Sequence, residues 1–100
     1  MHDVQNRFES LRNATSAAVF EGPGATSVDL RQAVTSGCPP PDLTVLIDKI
    51  RSAAHTVTDR DIKELRSRYS EDQLFEIIVA ASLGAALERL EAATRALEQA

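Results

Sequence analysis

The feature that most limits what this chain can fold into is the run IIVAASLGAAL, residues 77–87, which carries no charge. A surface helix has one apolar stripe and one polar face. A helix that is apolar around its whole circumference has to be wrapped, by its own chain or by another copy of it. Finding the flank of Val79 to Leu87 openly wetted in a lone subunit would overturn that expectation. The run lies inside a proline-free stretch, residues 69–100, that predicts one helix. At 1.5 Å per residue it would be roughly 40 Å long. Ser70 stands as its N-cap with Gln73 three residues on, the spacing of a capping box. Glu71 and Asp72 place carboxylates in the first turn, where the helix dipole favours them. Further on, Glu88, Glu91, Arg95 and Glu98 lie along one side, with Glu91 and Arg95 at ion-pair spacing. Ala80, Ala81, Ser82, Gly84, Ala85 and Ala86 are small enough to let a second helix come close.

The rest of the chain has to supply the wrapping. One hundred residues make a single domain, residues 1–100, with little core to spare. Three Phe, one Tyr and no Trp leave the core to Leu, Ile, Val and Ala. Such a core buries less area per residue, so help from oligomerisation is expected. The net charge of −4, with no basic stretch longer than two residues, argues against a nucleic-acid partner. The apolar run is too short to cross a bilayer. The N-terminus MHDVQNRFES is polar and unlike a signal peptide. The lone Cys38 suits a reducing, cytoplasmic setting.

In chain order, residues 3–20 predict a first helix, with Val4, Phe8, Leu11 and Ala18 near one face and Arg7, Glu9 and Arg12 elsewhere. Glu21-Gly22-Pro23-Gly24 stops it. Ser27 caps a short second helix with Leu30, Ala33 and Val34 as its apolar stripe, and Gly37 ends it in the left-handed conformation. Cys38-Pro39-Pro40-Pro41 is a stiff connector whose last proline can enter the next helix. The third helix covers about residues 42–57, with Leu43, Leu46, Ile47, Ile50, Ala53, Ala54 and Val57 as its stripe. Thr58 caps a fourth, in which Ile62, Leu65 and Tyr69 mark the buried side. No alternating run bounded by turn residues predicts a strand. The expectation is an all-α, compact bundle of about five helices with a long Ala-rich C-terminal one.

The segment KIRSAAHTVTDRDIKELRSRYSEDQLFEIIVAASLGAALERL, from Lys49 on, resembles the alkylhydroperoxidase D-like (AhpD-like) and carboxymuconolactone decarboxylase superfamily. The likeness rests on a histidine-bearing helix, a short helix ending in a turn, and a Ser-Glu-Asp-Gln start to a long Ala-rich helix. It covers roughly the second half of the chain. It implies an all-α fold that assembles into dimers, trimers or hexamers through the long helices. Redox members of that family carry Cys-x-x-Cys followed, three residues later, by His. With His55 matched to that histidine, the two cysteine positions fall on Asp48 and Arg51. Attack on a peroxide needs a thiolate and then a second thiol. The resemblance therefore implies a member without the redox pair and without peroxidase activity.

Asp48, Arg51 and His55 lie at i, i+3 and i+7, so one helical face carries an acid, a base and an imidazole. They are the candidate catalytic residues: a carboxylate orienting a histidine, with arginine holding an anionic substrate. The plainer reading is a solvated face with local ion pairs. Glu76, bordering the apolar run, could act as an acid or base, or be a surface residue. Cys38 follows a helix C-terminus, where the dipole works against a thiolate, so it reads as a small loop residue. Gly22-Pro23-Gly24 lacks the Lys-Ser/Thr of a phosphate loop. His2, His55 and Cys38 have no metal-site spacing, so neither metal nor cofactor is expected.

The reading that follows is a homo-oligomer, dimer or trimer, joined through the last helix by Phe75, Ile78, Val79, Ser82, Ala86 and Leu90, with no nucleic acid and no membrane. Its rivals are an acid–base enzyme acting on a small molecule through the Asp48, Arg51, His55 face, and an adaptor that receives another helical protein.

Overall fold

Local chemistry places most helix boundaries in the computed structural model, which describes residues 23–100 together with Glu9, Ser10 and Asn13. Residues 23–100 hold four α-helices, α1 (Val28–Thr35), α2 (Thr44–Ala53), α3 (Asp59–Leu65) and α4 (Glu71–Gln99), two short 3-10 turns and no strand. The all-α class is as expected. Most of the helix expected over residues 3–20 lies outside the described residues, apart from Glu9, Ser10 and Asn13, which are helical.

The Ser27 hydroxyl accepts the Leu30 N–H at 3.1 Å and starts α1. Gly37, at φ +80°, ends it. The Gly37 N–H donates to the Val34 carbonyl at 3.2 Å and the Cys38 N–H to Ala33 at 2.9 Å, the paired bonds of a Schellman turn. Pro41 opens a 3-10 turn, Pro41–Leu43, that leads into α2. Thr58 accepts the Asp61 N–H and Asp61 accepts the Thr58 N–H, so α3 starts with a complete capping box. Ser70 and Gln73 do the same for α4, as the sequence predicts.

One boundary differs from the sequence reading. The third helix is not continuous over residues 42–57: α2 stops at Ala53, whose backbone turns to φ −158°, ψ 66° before the 3-10 turn Ala54–Thr56. Ser52 donates back to the Asp48 carbonyl at 2.6 Å and Thr56 to the Ala53 carbonyl at 2.7 Å. Such back-bonding competes with helix continuation. The Arg51 carbonyl, which would accept from residue 55 in an unbroken helix, accepts instead from Arg89 Nη2 of α4 at 2.7 Å. Ala54 is consequently exposed and drops off the predicted stripe, while Ala53 and Val57 are half-buried.

The core is aliphatic. Val34 of α1, Leu46, Ile47 and Ile50 of α2, Leu65 of α3, and Leu74, Ile77, Ala80 and Ala81 of α4 are buried together with Leu43. Each fully buried Leu, Ile or Val contributes about 1.5–3 kcal/mol relative to exposure. Helix α1 lies closest to α4. A Cβ placed on Gly84 would sit 2.5 Å from the Thr35 carbonyl oxygen. The small residues of the apolar run thus serve a contact inside the chain: Ala80, Ala81, Gly84 and Ala85 are buried.

The expectation that the run is wrapped on every side is met only in part. Ile77 is buried, and Ile78, Val79, Leu83 and Leu87 are half-buried, but Ser82 and Ala86 are exposed. The helices cover the side of α4 that faces them, and the residues left outermost within residues 79–87 are small ones, which present little apolar area to water. No helix among the described residues is long and apolar enough to cross a membrane.

Candidate functional site

Two places on this fold carry more than packing: the ends of α1 and α2 where Arg51 lies, and the outer face of α4. Arg51 projects from the last turns of α2. Its Nη1 donates to the Thr35 carbonyl at 3.1 Å, and its Nη2 pairs with the Glu88 carboxylate. Thr35 closes α1, so the guanidinium serves a carbonyl the helix end leaves without an internal donor, at the negative pole of the dipole. The hydrogen bond from Arg51 holds Glu88 below its ordinary value, and Glu88 raises Arg51 against the opposing effect of burial. Arg89 then donates to the Arg51 carbonyl, as described above. Arg51 caps α1, Arg89 caps α2, and both ties run to consecutive residues of α4.

This arrangement redefines the predicted catalytic trio. Arg51 has its donors committed to Thr35 and Glu88. Asp48 is exposed and reaches Arg51 only as a nearby charge. His55 lies beyond the break at Ala53, in the 3-10 turn, and is exposed. The shared face inferred from i, i+3, i+7 spacing assumes a continuous helix, which stops two residues before His55. The structure brings Arg51 to Glu88, 37 residues away, rather than to His55.

Glu76 has a structural partner set. Its carboxylate accepts the Ala25 N–H at 2.5 Å and the Thr26 hydroxyl at 3.3 Å. Gln73, while completing the capping box, donates through Nε2 to the Ala25 carbonyl at 3.3 Å. The first two turns of α4 therefore clamp the 24–26 turn. A Cβ on Gly24 would meet the Glu76 carboxylate and displace it from this position. Cys38 is free and exposed. Among the described residues no group of three or more His, Cys, Asp or Glu could hold a metal ion.

The outer face of α4 opposes the core. Phe75 is 68% exposed, Leu90 40% and Leu97 68%. Ser82, Ala86 and Ala93 are exposed between them, and Val79 is half-buried. Four of the six residues expected at an interface, Phe75, Ser82, Ala86 and Leu90, are thus exposed on this face. Val79 and Ile78 are the two half-buried ones, and Ile78 packs against the core cluster. From Glu88 to the end of α4 only Thr94 is not exposed. Periodicity in the sequence carries this outer stripe. The Arg51, Arg89 and Glu76 contacts join positions 37 to 51 residues apart, and no local pattern announces them. Comparison with protein-family models, with curated proteins and with solved structures finds no match to this chain.

Proposed function

We propose that this chain is a homo-oligomeric helical protein that assembles through the outer face of α4. In this reading it is related to the AhpD-like superfamily but lacks its thiol pair and its peroxidase activity. The observation that carries the proposal is the exposed apolar stripe from Phe75 to Leu97 on the side of α4 facing away from the core. Scattered exposed apolar residues are ordinary, but an aligned set along one helix is characteristic of association surfaces. The residue chemistry supports a chain without peroxidase activity. Asp48 and Arg51 stand where the resemblance would place thiols, and the single Cys38 has no resolving partner in the chain. A reducing, cytoplasmic compartment suits that unpaired, exposed thiol.

Sedimentation equilibrium over a range of concentrations tests the association. A dimer or trimer is expected at micromolar concentration, and Leu90→Glu should shift it towards monomer with helix content unchanged. A chain that remains monomeric throughout overturns the reading. A peroxide-consumption assay with a dithiol reductant tests the second part. Turnover that disappears in Cys38→Ser would contradict it.

A further inference from the structure

Resting on that reading, we infer that the partner of α4 is α4 of a second copy, running antiparallel about a two-fold axis at Ala86. The outer stripe is symmetric in spacing about that residue. Ser82 and Leu90 lie four positions to either side, Val79 and Ala93 seven, and Phe75 and Leu97 eleven. Intervals of 4, 3 and 4 repeat every eleven residues, or about 3.67 per turn, close to the pitch of a straight helix. The stripe therefore stays on one side of α4 for its whole length.

An antiparallel pairing centred on Ala86 sets Ala86 against its own copy, Ser82 against Leu90, Val79 against Ala93, and Phe75 against Leu97. The smallest residues meet at the centre, where two straight helices cross most closely. The largest meet at the ends, where the helices diverge. Every stripe position finds a stripe position, as an isologous contact requires. The pairing also lays the exposed residues after Glu88 along the exposed outer side of the partner's first turns.

Charge favours the same direction. Glu71, Asp72 and Arg89 border the stripe. A parallel pairing in register would bring each beside its own copy and align the two helix dipoles, both unfavourable. The antiparallel one separates the like charges and opposes the dipoles. With one helix per subunit the contact is at the small end for specific complexes, below about 1,200 Å² in total, so a concentration-dependent dimer is expected.

The test uses the full chain with Cys38→Ser and a spin label at Glu71→Cys or Gln99→Cys, with interspin distances measured by pulsed electron paramagnetic resonance. At 1.5 Å per residue, the axis at Ala86 places the two copies of residue 71 about 45 Å apart and those of residue 99 about 39 Å apart. A mixture of the two labelled chains should add a distance under about 20 Å. Ala86→Glu, which sets two carboxylates face to face at an exposed position, should weaken the dimer roughly 100-fold and keep its helix content. An oligomer with short distances at both same-site labels overturns the antiparallel arrangement and leaves association through α4 standing. So does a trimer. Absence of any interchain distance in a monomeric sample overturns both. An oligomer indifferent to both Ala86→Glu and Leu90→Glu moves the interface off this face.

Discussion

Replacing Gly84 with alanine tests how α4 packs on α1. In the interior of an exposed helix, glycine to alanine gains about 1 kcal/mol of helix propensity. At Gly84 the added Cβ would lie 2.5 Å from the Thr35 carbonyl oxygen and 3.1 Å from the Thr35 Cα. Ordinary contact begins near 3.4 Å, so the end of α1 would have to retreat by about 0.9 Å. The obstacle is backbone, which no rotamer change removes. Thr35 is also held there by the 3.1 Å bond that its carbonyl accepts from Arg51, so retreat would lengthen that bond. Overpacking of this kind costs about 1–3 kcal/mol. Set against the propensity gain, the net expectation is a loss of up to about 2 kcal/mol. Near 100 residues that corresponds to roughly 4–8 °C in Tm per kcal/mol.

The assay is thermal and urea unfolding followed by far-UV circular dichroism, at one protein concentration for all variants. Ala92→Gly is the control. Residue 92 is exposed on the same helix, so the ordinary preference should hold there and glycine should cost up to about 1 kcal/mol. Alanine would thus be the worse residue at position 84 and the better one at position 92. A Gly84→Ala chain more stable than the parent would refute the close approach of α1 and return the small residues to an intermolecular role.

Three further outcomes follow from named contacts. Lys49, at 2.7 Å, and Thr58 hold Asp61 below its ordinary value, as Arg51 does Glu88. Depressed carboxylates stabilise the fold above about pH 5 and lose that contribution as pH falls through about 4 and below. Urea midpoints should decline over that window, and less steeply in Lys49→Met. Tyr69, the only tyrosine in a chain without tryptophan, is raised by burial and by donating to Asp42 at 2.9 Å. Ultraviolet titration should find the phenol ionising above its ordinary value of about 10. Its stabilising contribution is complete below that value and lost as pH rises through the folded one. Asp42→Asn should move the midpoint down, and an unchanged midpoint would contradict the Tyr69–Asp42 bond. Gly37→Ala forces a side chain into φ +80° with its Cβ 3.3 Å from the Arg51 guanidinium, and should cost about 1–2 kcal/mol in the same unfolding assay.

The features legible in the residues alone are those whose chemistry spans one helical turn. Ser27, Thr58 and Ser70 start helices because a hydroxyl reaches the N–H three positions on. Gly37 ends one because a left-handed residue there costs glycine nothing. The all-α class and the long last helix follow from such signals and from apolar spacing. The break at Ala53 was not legible, because its decisive partner, Arg89, is 38 residues away from the carbonyl it satisfies.

The same distinction runs through the candidate site. An apolar run without charge announces that it needs neighbours, but not which side each neighbour takes. Only the packing of the other helices against α4, with α1 closest at Gly84, turned Ala80, Ala81 and Ala85 inward and left Phe75, Ala86, Leu90 and Leu97 facing out. Arg51 reads in sequence as one third of a polar face. In the folded chain it caps α1 and pairs with Glu88, because contacts between distant segments are set by how helices lie on one another. Spacing along the chain specifies each helix and its apolar side, while the partner of every long-range contact depends on the three-dimensional path between them.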